Sequence, residues 1–236
     1  RSLTNDQTIL VLAGPKAREV LSSVSRADWS ANAFPWLSAR ECFIGVAPAT
    51  VFSVSFSGEL AYEIHLPNNQ LYGAYMALRQ AGETLGMRVF GARAVESMRL
   101  EKGFLHWKSD ILTEFDPFEN GLERFEKLNK SEFVGKAALS ESQKAGPRQK
   151  LVTLEIDHND APAHPGASLM QGGIVVGTVT SGDWGHRVQK NLALAFLKTE
   201  LCQPGTEMTI DVIGEHVPAS VLEPSQYDKD MSLPRS

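Results

Sequence analysis

The chain has few of the residues that make covalent or metal cross-links. Its 236 residues include two cysteines, Cys42 and Cys202, far apart and without a CxxC spacing. That argues against a disulfide scaffold or a thiolate zinc site, and for buried free thiols in a reducing compartment. The six histidines form no HxxxH or HxH pair, so no metal site is expected. No run of about 18 apolar residues occurs, which leaves no candidate membrane span. Basic clusters are also lacking. The loose series Lys144, Arg148, Lys150 is the longest, and the net charge is −5, so nucleic acid is not an expected partner. No secretory signal is visible. A chain that begins at Arg1 rather than Met reads as a processed product or a piece of something longer. There is no dinucleotide fingerprint, no internal repeat and no low-complexity tract. Gly14-Pro15 follows a strand-like run, but one glycine does not make a phosphate loop.

What is present is ordinary for a soluble globular protein, with 42% hydrophobic and 22% charged residues. Ile9–Ala13 is an apolar run of strand length. The spacing of Ala17, Val20, Leu21 and Val24 predicts a helix over 16–24. Asp28–Leu37 predicts a short helix and a loop with aromatic anchors. Glu41–Val46 and Ala49–Phe56 read as strands around a turn at Ala47-Pro48. Leu71, Ala74, Tyr75, Leu78, Ala81 and Leu85 predict an amphipathic helix stopped at Gly86. Gly91–Gly103 is helical by propensity, and a further helix is expected over Ala137–Lys144. Ala145-Gly146-Pro147-Arg148 is the clearest composition break, placing a domain boundary between 146 and 147. Beyond it the helical signals fade. Six strand-like runs, Leu151–Ile156, Ser168–Met170, Ile174–Thr180, Leu192–Leu197, Glu207–Ile213 and His216–Leu222, predict a small antiparallel barrel or sandwich. Gly172-Gly173 and Gly214-Glu215 read as its hairpin turns. Ser225–Ser236 is expected to trail over the surface.

The most informative stretch is Ser55–Leu66. Gly58 supplies a turn, and a strand of period two follows. Leu60, Tyr62, Ile64 and Leu66 share one face, and Ala61, Glu63 and His65 the other. On pattern alone Glu63 is a solvated glutamate, or else a carboxylate gripping a ligand with adjacent N–H donors. The helix over 91–103 poses a similar choice. Arg93, Glu96 and Arg99 are spaced for an ion ladder on a solvated face. Alternatively Arg93, in the first turn where the helix dipole favours anions, reaches a bound carboxylate.

Several motifs, in this order, resemble the aminomethyltransferase family, the T-protein of the glycine cleavage system. They are Leu12-Ala13-Gly14-Pro15, Ser57-Gly58-Glu59-Leu60-Ala61-Tyr62-Glu63-Ile64, Ala92-Arg93 through Met98-Arg99-Leu100-Glu101-Lys102-Gly103, and Gly177-Thr178-Val179-Thr180-Ser181-Gly182. The likeness is closest to the folate-binding C-terminal half of dimethylglycine and sarcosine dehydrogenases, through Ser57-Gly58-Glu59-Leu60, Arg99-Leu100-Glu101-Lys102, Gly121-Leu122-Glu123-Arg124-Phe125 leading to Lys127-Leu128-Asn129-Lys130, and Phe133-Val134-Gly135-Lys136-Ala137-Ala138-Leu139. The resemblance implies an α+β fold, multi-lobed and T-protein-like, with a C-terminal antiparallel β-barrel and the family's N-terminal part missing. Residues 1–146 are then a folate-binding α+β region and residues 147–236 the barrel domain.

The resemblance also implies function. Tetrahydrofolate is the expected cofactor, with FAD only if an upstream flavoprotein half exists. Glu63 is expected to hold the pterin, with Arg93 in the same site. Phe56 stands where the family often has tyrosine, keeping the ring and losing the hydroxyl. No catalytic residue is assigned, because the family's catalytic aspartate belongs to a segment upstream of Leu12-Ala13-Gly14-Pro15. The expected reaction is one-carbon (aminomethyl or methylene) transfer to tetrahydrofolate. A small-molecule amine is the substrate, and a flavoprotein half or lipoyl carrier protein a possible partner. A folate-dependent demethylase and a non-catalytic folate-binding module are the alternatives. The expected compartment is the cytoplasm, or the mitochondrial matrix in a eukaryote.

Overall fold

The computed structural model describes residues 2–158 and 161–236. It divides into two compact units, one of residues up to Val95 with Asp228–Ser236 and one of Glu96–Tyr227.

The first unit is built on four strands. In chain order it contains β1 (Gln7–Ala13), α1 (Ala17–Val24), β2 (Ala39–Ile44), β3 (Ala47–Phe52), β4 (Ala61–Pro67) and α2 (Leu71–Glu83). The sheet order is β1-β4-β3-β2, and every neighbouring pair is antiparallel. Alternation fixes the faces, as expected for pleated strands. Tyr62, Ile64 and Leu66 of β4 are buried with Leu12, Val51 and Ile44, and Val20 and Leu21 of α1 and Ala74 and Leu78 of α2 join the same core. Their spacing gives each helix one apolar stripe. Beyond α2, Gly86 takes φ +80°, the conformation that ends a helix without a Cβ penalty.

Two local expectations are corrected. The β2–β3 turn lies at Gly45-Val46, not Ala47-Pro48, because Ile44 pairs with Ala47 and Gly45 supplies a φ of +61°. Pro48 is then a strand residue. It lies where β3 has no ladder to β4, whose pairing covers Thr50–Phe52, so its missing N–H costs no sheet bond. Residues 28–37 form turns rather than a short helix, although their aromatic residues are anchors. Trp29 and Phe34 are buried and meet edge-on at 5.1 Å, and Phe34 stacks on Tyr62 at 5.9 Å.

Helix α3 (Ala92–Lys102) contains the point where the two units divide. The second unit continues with α4 (Lys136–Ala145), β5 (Gln149–Ile156), β6 (Ser168–Gln171), β7 (Ile174–Gly185), β8 (Lys190–Lys198), β9 (Glu207–Val212) and β10 (Glu215–Leu222). The six strands close into an antiparallel barrel, ordered β10-β5-β8-β7-β6-β9. Leu154, Leu169, Val179, Ala193, Ala195, Leu197 and Ile210 fill it. β7 runs past Thr180 to Gly185 through a register shift between Val179 and Ser181, the bend a small barrel needs. The terminal segment does not simply trail. The N–H groups of Gln226 and Tyr227 donate to the Glu101 carbonyl at 2.9 and 3.0 Å, and the Tyr227 ring lies 3.8 Å from the Arg187 guanidinium carbon. Backbone satisfaction and cation–π contact outweigh its polar composition. Among the described residues no helix is long and apolar enough to cross a membrane.

Candidate functional site

The candidate site begins with the turn that launches β4. The Ser55 hydroxyl oxygen accepts from the Gly58 N–H at 3.0 Å, and that of Ser57 accepts from the Glu59 N–H at 3.3 Å. Gly58 takes φ +81°, and the Gly14 N–H donates to the Leu60 carbonyl at 2.8 Å, tying the turn to the end of β1. Hydroxyl-to-backbone bonds of this kind replace ladder bonds in a tight turn. They set the phase in which β4 leaves the turn, and hence which side chains reach the open face.

On that face the sheet register forms two rows. One runs Ala39–Phe52–Glu63–Val11, and the other Glu41–Thr50–His65–Ile9. Ile9 and Val11 are 50% and 53% exposed, and Phe43 of β2 is 61% exposed. Glu63 and His65 are half-buried, with His65 Nε2 3.1 Å from Glu63 Oε2. Phe52 meets the His65 ring edge-on, centroids 4.8 Å apart. The result is a carboxylate on an otherwise largely apolar sheet face. It offers acceptor oxygens with hydrophobic surface on either side, which suits a flat ring with N–H donors along one edge.

Phe56, in the turn, is 36% exposed. Arg93 is exposed in the first turn of α3, and its guanidinium has no ion-pair partner among the described residues. The structure records no hydrogen bond or ion pair between Arg93 and Glu63. Among the described residues no group of His, Cys, Asp or Glu is placed to hold a metal ion. Two larger cavities lie elsewhere, about 640 Å³ beside Glu155, Trp184, Asn191 and Glu207, and about 770 Å³ beside Ser25, Arg26 and Cys42. Neither is lined by Glu63, Arg93 or Phe56, and their size does not outweigh the chemistry of the sheet face.

The later part of α3 departs from the solvated charged face expected of it. Arg99 and Glu101 are 0% exposed and Lys102 is 4% exposed. Arg99 donates from Nη1 to Asp110 Oδ2 at 2.5 Å and to the Phe104 carbonyl at 3.1 Å, and from Nη2 to Ser181 Oγ at 2.7 Å and to Glu96. Asp110, also 0% exposed, accepts from Thr180 Oγ1 at 2.5 Å, Ser181 Oγ at 2.6 Å and the His106 N–H at 2.8 Å. Glu101 pairs with Arg187 and accepts from the Arg187 N–H at 2.6 Å, while Arg187 Nη2 donates to the Met98 carbonyl at 2.7 Å. These two buried pairs fix α3 to the loop over 104–111 and to β7 and its turn. Asp110, Thr180 and Arg187 escaped the pattern reading because their partners are remote in sequence. The available signal was a density of charge in α3 with no apolar stripe to bury.

A four-stranded antiparallel sheet packed with helices, followed by a closed six-stranded barrel, defines a class of α+β protein assembled from two kinds of module. The comparisons with known proteins narrow that class. Residues 1–130 match the family described as the GCVT N-terminal domain, and residues 149–228 match the glycine cleavage T-protein C-terminal barrel domain. The chain belongs to the glycine cleavage T-protein family. It is 32% identical over 224 residues to human mitochondrial dimethylglycine dehydrogenase, covering 94% of this chain and 26% of that protein. It is 28% identical over 221 residues to the aminomethyltransferase of Caldanaerobacter subterraneus subsp. tengcongensis, covering 94% and 59%. The crystal structure of glycine cleavage system aminomethyltransferase T from Bartonella henselae superposes with a TM-score of 0.81 at 26% identity, covering 92% of this chain and 58% of that one. The chain therefore spans about a quarter of the dehydrogenase relative and about three fifths of the aminomethyltransferases.

Proposed function

We propose that this chain is the folate-holding part of a tetrahydrofolate-dependent one-carbon transferase, either a T-protein or the folate half of a dimethylglycine or sarcosine dehydrogenase. The observation that carries the proposal is the position of Glu63, a half-buried carboxylate on an exposed, largely apolar sheet face, in a chain of this family. Glu63 accepts the parallel N–H bonds of the pterin's aminopyrimidinone edge, and charge-assisted bidentate bonding supplies both strength and orientation. Ile9, Val11 and Phe52 flank the ring. Arg93, without an ion-pair partner among the described residues, meets an anionic group of folate or substrate, and Phe56 contributes ring contact from the turn. Tetrahydrofolate, when bound, supplies N5 as the acceptor of the one-carbon unit. The chain's own residues orient that acceptor, and placement of the two reactants is a large share of such catalysis.

Partners and compartment follow from the same reading. A small-molecule amine donates the unit, and a flavoprotein half or lipoyl carrier presents it. Any flavin belongs to that other half, and the compartment is cytoplasmic or the mitochondrial matrix. The division into a folate-binding region, 1–146, and a barrel domain, 147–236, also belongs to this reading. Limited trypsin digestion tests it. Two stable fragments cut near Lys144 and Arg148 support it, and scattered cleavage through both regions counts against it.

Calorimetry with folinic acid tests the function. Glu63→Gln keeps the shape of the side chain but turns one acceptor into a donor. It is expected to weaken binding by about tenfold to a hundredfold, the worth of a hydrogen bond to a charged group. Equal affinity in the two proteins would remove Glu63 from the site.

A further inference from the structure

β4 carries two functional groups on its open face. Glu63 and His65 are two residues apart, so both leave the strand on the same side. His65 Nε2 stands 3.1 Å from Glu63 Oε2. The imidazole is itself braced, since Phe52, paired across from Glu63 on β3, meets the ring edge-on at 64°. Across these rows β1 presents Ile9 and Val11, β3 presents Thr50 and Phe52, and β2 presents Ala39 and Glu41. Glu41 is thus the further charged group that the strands turn to this face, two strands from His65 and about 10 Å away by strand spacing. In the tautomer that donates Nε2–H to Glu63, the His65 Nδ1 lone pair has no partner among the described residues.

We propose that His65 is the positioning residue of the Glu63 site and acts there as the neutral imidazole. It holds Oε2, so that Oε1 and the remaining Oε2 lone pair stand ready for one donor-rich ligand edge. This rests on the folate reading of the preceding subsection and deepens it. A free glutamate side chain loses rotamer freedom when it grips a ligand, and a prior bond to His65 removes part of that cost. The charge state matters for two reasons. An imidazolium takes up carboxylate charge that the ligand N–H groups otherwise meet. It also converts Nδ1 from an acceptor into a donor beside a ligand edge made of donors.

Calorimetric titration with folinic acid from pH 5.5 to 8 tests this, on the natural polypeptide that carries the chain. The wild type is compared with His65→Leu, His65→Gln and Glu63→Gln. Wild-type affinity is expected to be highest near pH 8 and to fall along an acidic limb toward pH 5.5, as the imidazole takes up a proton. His65→Leu is expected to bind about threefold to tenfold more weakly at pH 8, from restored side-chain freedom, and to lack the acidic limb. His65→Gln, whose amide N–H still donates to Oε2, is expected to recover affinity at pH 8 and to lack the limb as well. The wild-type profile needs no variant to fold.

An acidic limb that persists in His65→Leu, or identical affinities and profiles in wild type and His65→Leu, overturns the assignment. If binding is lost in Glu63→Gln but is indifferent to His65, the folate reading stands and the role of His65 falls. No binding by the wild type at any pH overturns the folate reading and the role of His65 with it.

Discussion

On β4, a glutamate and a histidine meet at 3.1 Å with 39% and 25% of their side chains exposed. Beside α3, Arg99 meets Asp110 at 2.5 Å with neither side chain exposed at all. The residue chemistry is similar and the physical task is opposite. The Glu63 carboxylate keeps water within reach and has an oxygen, Oε1, without an internal bond among the described residues. It has bonding capacity left for a ligand. The Asp110 carboxylate is saturated by an arginine, two hydroxyls and a backbone N–H. It has nothing to offer a ligand, and its value lies in fixing α3, the loop over 104–111 and β7 to one another. Bonding capacity left over, rather than charge alone, separates a candidate binding carboxylate from a structural one.

Removing one partner from each pair breaks the comparison most sharply. Asp110→Ala leaves buried Arg99 with the part-exposed Glu96 in place of a fully buried counter-charge, and strips an acceptor from Thr180, Ser181 and the His106 N–H. A loss of about 3–5 kcal/mol is expected, read as a drop in urea midpoint, because desolvation is no longer offset. Next in size is Gly103→Ala, at the end of the same helix. Gly103 takes φ +71°, and an added Cβ would lie 2.3 Å from the Pro224 carbonyl oxygen, so backbone must move. About 2–4 kcal/mol is expected, again from denaturation midpoints. Glu63→Ala is expected to change stability by no more than about 0.5 kcal/mol, as half-exposed pairs do, while removing folate affinity. A large stability loss there, comparable to that of Asp110→Ala, would make Glu63 a structural residue too and dissolve the distinction.

The legible parts of this molecule were those governed by local rules. Alternation in β4 placed Glu63 and His65 opposite Tyr62, Ile64 and Leu66, because the side-chain period of a strand is two. The six barrel strands and the Gly172-Gly173 turn were readable for the same reason, as were α1 and α2 from their apolar stripes, whereas the β9–β10 turn lies at Ile213-Gly214 rather than Gly214-Glu215, because Val212 pairs with Glu215. The four motifs carried the family. What escaped was non-local or competitive. The β2–β3 turn was misplaced because Pro48 is a stronger punctuation mark than Gly45, yet Pro48 lies where β3 lacks a ladder bond. The charged run of α3 looked solvated because nothing near it in sequence shows that Asp110 and Arg187 neutralise it. The terminal segment looked loose by composition, although Gln226 and Tyr227 satisfy the Glu101 carbonyl. The Glu63–His65 contact lay in between. Its spacing was visible in the sequence, but which neighbours surround Glu63 on the open face is a property of the sheet register.

The smallest effect concerns a group that both units hold partly buried, the free thiol. Burial raises the pKa of the Cys42 thiol, with the Ser25 hydroxyl and the Arg40 charge opposing, and raises that of Cys202, with Lys150 opposing. The neutral thiol is the form the fold accepts. Between the unfolded and the raised folded value, the unfolded chain has lost a proton that the folded chain retains, so stability falls as pH rises. The contribution is fully present below about pH 8.5, the ordinary thiol value, and is lost above it. Denaturation midpoints measured from pH 7.5 to 10 should decline along a limb that Cys42→Ala and Cys202→Ala each shallow. Alkylation of both thiols at pH 8 should run slower than that of an unfolded control, since the thiolate is the reactive form. Unlike the Asp110 carboxylate, which is held by an arginine, two hydroxyls and a backbone N–H, these thiols can stay neutral, so the cost of burial appears only when alkali removes the proton. Alkylation of Cys42 as fast as in the unfolded control would place its thiolate in water and separate the two units on this point.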